Sequence, residues 1–272
     1  MIRPGRTGAT GGTVATTSPA GRVAGLGRLN ALMAAVHFVQ AVALLLFSRD
    51  FRLPVTVSYL EFDTATTSLR PMVTTLTEVP LAWLVVAFLL LSSLAHLMIA
   101  TVYRPTYERD LLRGLNRARW IEYAVSASVM MVAIAMLVGI YDLGALLMLF
   151  SLVAVMNLLG LVMEVHNQTT QRTDWLSFRI GSLAGIVPWI VVAISLWASS
   201  RYGGGQIPAF VYWIYVSIFV FFSSFAVNMW LQYRRIGPWA SYLYGERAYI
   251  VLSLVAKSAL AWQVFAGTLR PV

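Results

Sequence analysis

The strongest constraint on this chain is the spacing of its charges. Seven runs free of Asp, Glu, Arg and Lys cover residues 29–48, 79–103, 123–141, 143–163, 180–200, 202–233 and 248–269, the last interrupted once by Lys257. Their lengths are 20, 25, 19, 21, 21, 32 and 22 residues. A helix needs roughly 20 apolar residues to cross the hydrocarbon core of a bilayer. Strands of a membrane barrel would alternate over about 10 residues, and that alternation is missing. The chain therefore reads as an all-α membrane protein with seven spans. Only 11% of its residues are charged, against about a quarter in soluble domains.

The 20 basic residues give a formal charge of +9, but they form no polar basic face of the kind a nucleic-acid binder needs. Nineteen are arginines placed between the apolar runs. If the N-terminus is cytoplasmic, 14 of the 19 fall on the inner side: Arg3, Arg6, Arg22, Arg28, Arg104, Arg109, Arg113, Arg117, Arg119, Arg172, Arg179, Arg234, Arg235 and Arg247. Only Arg49, Arg52, Arg70, Arg201 and Arg270 fall outside. The positive-inside rule then predicts N-terminus in, C-terminus out.

Residues 1–27 are rich in Gly, Thr, Ala and Arg, without the apolar centre of a signal peptide, and are expected to form a disordered cytoplasmic tail. Residues 28–272 form the single seven-helix domain. Within it, the extracellular loop 49–78 holds two β-branched stretches, 54–60 and 72–77, that predict a small hairpin. The very short turn at 139–144 makes the third and fourth helices antiparallel neighbours. With no cysteine, disulfides and thiol chemistry are excluded, and no metal site is expected.

Lys257 is the only lysine, and it sits near the centre of the last run. A lysine at a helix centre costs about 2.5–3.5 kcal/mol on insertion scales, so such residues usually face the bundle and have a role. One reading is structural, a lysine paired with a helix carboxylate. The other is a desolvated amine that forms a Schiff base and so needs a counterion. Glu122, Glu164 and Glu246 are the acids within or beside the spans, the last two at cytoplasmic helix ends. If the third helix begins near Leu111, Glu122 lies about three turns inside it. Its alternative partner is Arg119 or Arg117.

His37 and His96 fall on oppositely directed helices at nearly the same depth, about 12–14 Å from the inner boundary at 1.5 Å per residue. Ser92 precedes His96 by one turn on the same face. Two imidazoles at one level can form a proton-accepting cluster. His166 lies at a loop edge and reads as solvated.

The stretch 245–262, Gly-Glu-Arg-Ala-Tyr-Ile-Val-Leu-Ser-Leu-Val-Ala-Lys-Ser-Ala-Leu-Ala-Trp, resembles the seventh helix of the heliorhodopsins. Arg119-Trp120-Ile121-Glu122-Tyr123 with Ser126-Ala127-Ser128 resembles their third. The likeness extends to 185–189, to 221–225 and to the inverted topology, and spans about 28–269. It implies a rhodopsin-like bundle with all-trans retinal on Lys257 as a protonated Schiff base and Glu122 as counterion. Ser253 and Ser126 would lie near the Schiff base. His37, His96 and Ser92 would line the inner proton-accepting cavity, while Met156, Gly160, Trp189, Phe219 and Phe222 would wall the pocket. The outer hairpin would serve a homodimer.

Microbial rhodopsin pumps usually carry an aspartate four residues before the lysine and two carboxylates on helix three. Ser253 and the single Glu122 depart from that pattern, so the expectation is a non-enzymatic light sensor without net pumping. It would sit in membrane lipid and act on a cytoplasmic or membrane signalling partner that the sequence does not name. The alternatives are a light-driven ion transporter, a light-gated proton channel, and a retinal-free scaffold with a structural lysine.

Overall fold

The computed structural model describes residues 19–204 and 207–271. Seven long helices in it are apolar enough to cross a membrane. They are α1 (Pro19–Phe47), α2 (Leu81–Ala100), α4 (Arg117–Leu137), α5 (Leu143–His166), α6 (Leu176–Tyr202), α7 (Ala209–Arg234) and α8 (Tyr242–Val264), with a short α3 (Arg104–Leu112) between the second and third spans. Helix α1 reaches back to Pro19, so helical structure begins before the expected tail boundary at Gly27. The remainder of that expected tail, residues 1–18, lies outside the described residues.

Apolar residues surround these helices on all sides, as they must where lipid replaces water. Leu45, Leu46, Trp83, Leu183 and Val220 face outward, while Leu44, Phe88, Met131 and Trp189 are buried. Around the bundle α1 packs on α2, α2 on α4, α4 on α5, α5 on α6, α7 on α8, and α8 returns to α1. The α6 and α7 backbones stand further apart, and ring contacts from Trp189 to Tyr215, Phe219 and Phe222 bridge them. The 139–144 turn makes α4 and α5 packed neighbours, with Gly139 at φ +90°, where a Cβ would be strained.

The third span departs from the sequence expectation of a helix running on from Leu111. The chain breaks after α3, with Gly114 at φ +73°, and restarts at Asn116, whose side chain accepts a hydrogen bond from the Arg119 amide at 3.0 Å. That N-cap satisfies a donor the new helix would otherwise leave open. Glu122 therefore stands in the second turn of α4 rather than three turns deep.

The loop after α1 forms an antiparallel hairpin, β1 (Arg52–Asp63) with β2 (Ser68–Pro80), bulged between Val55 and Thr56. Leu53 and Val55 are buried against the bundle, whereas Tyr59, Leu60, Phe62, Leu69 and Val73 are exposed. Its base is tied to the start of α5. Thr56 N donates to Tyr141 O at 2.9 Å. The Asp142 carboxylate accepts from Ser58 N at 3.2 Å and from Ala145 N at 3.1 Å. These amide bonds, Ala145 first, hold the Asp142 carboxyl below its ordinary range. A depressed acid contributes stability above its ordinary pKa and loses it as pH falls through the folded value. The hairpin base is thus expected to loosen on acidification. The protection of the Thr56 and Ser58 amides against hydrogen exchange, taken relative to the intrinsic rate at each pH, should fall on acidification in the parent and already be low at neutral pH in Asp142→Ala.

Polarity is unevenly divided. Near the hairpin the interior is apolar, built from Leu53, Val85, Met131, Ile134, Met136 and Leu260 among others. Asn30, His37, Ser92, His96, Asn116, Arg119, Glu164 and Glu246 are buried in the half nearer α3. This asymmetry positions the site.

Candidate functional site

Lys257 and Glu122 meet. Helix α8 carries the lysine inward, and its Nζ donates to Glu122 Oε1 at 2.7 Å and to Ser253 Oγ at 3.0 Å. Ser253 lies one turn earlier on the same face. The side chains of the ion pair are 4% and 8% exposed, so neither charge has water to fall back on, and each depends on the other. Ser92 Oγ, on α2, lies 2.6 Å from the same Glu122 oxygen. The Tyr123 ring centre is 5.2 Å from Nζ, close enough for a cation–π contact.

The alternative partners of Glu122 are engaged elsewhere. Arg117 pairs with Asp110 at 2.8 Å. Arg119 bridges Glu164 and Glu246 in a fully buried cluster. Its guanidinium stacks 4.0 Å from the Tyr249 ring centre and 4.8 Å from that of Trp120. Asn116 supports both acids, its amide N donating to Glu164 at 2.9 Å and its Nδ2 to Glu246 at 2.6 Å. The sequence placed these acids at helix ends without showing that three elements would converge there. Only their being buried between spans betrays a cluster, and spacing does not encode that.

His37 and His96 stack, with ring centres 5.8 Å apart and planes at 9°. Neither ring nitrogen of His37 has a hydrogen-bond partner among the described residues. Ser92 links this level of the bundle to Glu122 through its hydroxyl. His166 is exposed and 3.3 Å from Asp174.

Lys257 also lines a cavity of 410 Å³ walled by residues of α4, α5, α6, α7 and α8. Small-molecule sites run from roughly 300 to 1,000 Å³ and are mostly apolar. Every pocket residue named from sequence is on its wall: Ser126, Met156, Gly160, Trp189, Phe219, Phe222 and Ser253. Trp189 lies edge-on to Phe219 and Phe222, with centres 5.4 and 5.5 Å away. Two glycines keep the wall thin. A Cβ on Gly160 would come within 2.4 Å of the Trp120 ring, and one on Gly185 within 2.4 Å of Met156 Sδ. Ser126 Oγ is buried without a protein partner. An elongated apolar carbonyl compound, such as a polyene aldehyde, fits this donor set, with the amine at one end and aromatic faces along its length.

A seven-span bundle with a buried lysine–carboxylate pair at the end of an apolar, aromatic cavity defines a membrane protein of the rhodopsin class. Residues 26–269 match the heliorhodopsin family, and the chain belongs to it. It is thus a rhodopsin-type light-sensing protein of the multi-pass membrane kind, in a photoreceptor family that in general carries retinal. No curated protein sequence matches the chain.

Proposed function

We propose that the protein is a light sensor that holds all-trans retinal on Lys257, with Glu122 as counterion, and moves a proton internally without net transport. The observation carrying this reading is the Lys257–Glu122 pair at the wall of the cavity. Retinal joined to the lysine nitrogen supplies a light-driven double-bond isomerisation. The chain does the rest. Glu122 balances the positive charge on the lysine nitrogen, and Ser253 and Ser92 orient the pair through their hydroxyls. Met156, Trp189, Phe219 and Phe222 would hold the apolar ligand, and Gly160 and Gly185 would leave it room. When the nitrogen gives up its proton, a ring nitrogen of the His37–His96 pair forms the new N–H bond, leaving an imidazolium beside the Glu122 carboxylate.

Transport would require further acceptors toward the hairpin, where the interior is apolar. The arginine bias supports a cytoplasmic N-terminus and an extracellular C-terminus. The chain ahead of the first span would lie on the cytoplasmic side, joined through the start of α1 to the retinal-binding domain. The apolar hairpin residues Tyr59, Leu60, Phe62 and Val73 suit a homodimer contact outside the membrane, which leaves the cytoplasmic face to a signalling partner.

Retinal added to the purified protein is expected to give a visible band. Illuminated vesicles should show no sustained, protonophore-sensitive pH change or current; such a current would establish the transporter reading instead. In Glu122→Gln the positive nitrogen loses an opposite charge 2.7 Å away, an interaction usually equivalent to about 1–3 pH units. The band should move to the red, and its loss at alkaline pH should begin at lower pH. An unchanged spectrum and titration would assign the counterion elsewhere.

A further inference from the structure

His96 has a neighbour whose orientation is fixed independently of it. Asn30 Nδ2 donates to the Leu26 carbonyl at 2.8 Å. A carbonyl can only accept, so the amide group is turned with its nitrogen toward Leu26 and its oxygen toward His96. That oxygen lies 2.7 Å from His96 Nδ1. An amide oxygen has no proton to give, so Nδ1 carries the hydrogen, and in a neutral imidazole Nε2 is then bare. Asn30 is 1% exposed and His96 8%, so bulk water has little access to these atoms.

The same amide points onward. Asn30 Nδ2 also donates to the Tyr107 hydroxyl at 3.3 Å, which leaves the tyrosine hydrogen for Glu246 Oε1 at 3.5 Å. Tyr107 is buried on α3, and Glu246 belongs to the Arg119 cluster. Every donor in this chain points from His96 toward Glu246. Hydrogen bonds aligned in one sense polarise one another. A bare amide between two partners passes that polarisation, yet keeps its own hydrogens.

We infer that Asn30 is a positioning residue that sets the His96 tautomer, so that Nε2 is the atom of His96 that takes the proton. Asn30 and Tyr107 then carry the new charge, as polarisation, to the Arg119–Glu164–Glu246 cluster and α3. The balance is simple: one N–H bond forms at Nε2, the Nδ1–H bond is kept, and the ring gains one positive charge. The proton's source rests on the function proposed above, whereas the tautomer assignment stands without it.

Solid-state NMR of protein labelled with ¹⁵N-histidine, in lipid and in the dark, reads the tautomer directly, with His37→Gln and His96→Gln used for assignment. His96 is expected to be protonated at Nδ1 in the parent, with and without retinal. In Asn30→Leu the preference of about five- to tenfold that one buried hydrogen bond supplies should be lost. Asn30→Asp, which keeps an acceptor oxygen, should restore it. Tyr107→Phe should leave the tautomer unchanged and abolish any light-induced infrared shift that Glu246→Gln assigns to Glu246. A parent His96 protonated at Nε2, or an unaltered Nδ1–H in Asn30→Leu, overturns the tautomer role. No Glu246 infrared shift in the parent, or one that persists in Tyr107→Phe, overturns the relay. If Asn30→Leu does not fold, the parent and Asn30→Asp spectra still decide. Absence of a retinal band with the expected tautomer would reject the proposed function alone.

Discussion

Lys257→Ala, supplied with retinal, is expected to show no visible absorption band at all. Lys257 is the only lysine in the chain, so among the side chains it alone offers the primary amine an imine needs. Arginine cannot substitute, because its guanidinium stays protonated and is not nucleophilic at working pH. The alanine variant has a structural side effect that the test must separate. Glu122 would be left buried and unpaired, which is far more damaging than removing both partners. The double variant Lys257→Ala/Glu122→Gln avoids this by replacing the carboxylate with a neutral amide of the same shape. It should fold to a helical protein that unfolds near the parent's midpoint and remains colourless with retinal. A visible band in either variant would place the chromophore elsewhere.

The second large effect is expected at Arg119, which no colour measurement would reveal. Its side chain is 3% exposed and stands between Glu164 and Glu246, each 1% exposed. Removing one member of a buried ionic group typically costs about 3–5 kcal/mol, because the remaining charges keep their desolvation penalty without its compensation. Arg119→Gln is therefore expected to unfold at a markedly lower temperature or denaturant concentration. The two carboxylates it leaves would face each other across the α4–α5–α8 junction. The triple variant Arg119→Gln/Glu164→Gln/Glu246→Gln removes all the charges together and should recover a large part of the loss. Unfolding of the single variant within about 0.5 kcal/mol of the parent, the range of an ordinary surface change, would mean the cluster does not hold the bundle together.

Much of the architecture was legible because the solvent of the spans is lipid. A chain segment in hydrocarbon must satisfy its backbone internally and present apolar side chains all round, so runs such as 143–163 and 180–200 announce helices by composition alone. The hairpin was legible through β-branched residues at 54–60 and 72–77, and the structure extends it to Arg52–Asp63 and Ser68–Pro80. The break before α4 was not legible as a break. Asn116 and Gly114 look like unremarkable polar punctuation until the Arg119 amide is seen capped by Asn116.

The site divides in the same way. Lys257 stood out because one lysine at mid-span is costly, and the motif around Glu122 resembled a known helix. Asn30 and Tyr107 gave no comparable signal. An asparagine in α1 and a tyrosine in a short charged helix are common residues, and their meaning lies in the 2.7 Å contact with His96 and the turn toward Glu246. Spacing along α4 offers Arg119 as a partner for Glu122, and the structure gives it to two other acids.

The sequence by itself determined that this chain spans a membrane seven times, that one amine lies buried mid-span, and which few acids could neutralise it. Those are questions of composition and depth, and the cost of a charge in hydrocarbon answers them from position along one helix. Only the tertiary structure decided which acid meets the lysine, which acids meet Arg119, and which nitrogen of His96 is bare. Each depends on how helices are rotated and where α3 breaks from α4, and a hydrogen bond changes partner over about an ångström. Residue spacing along the chain does not resolve that distance.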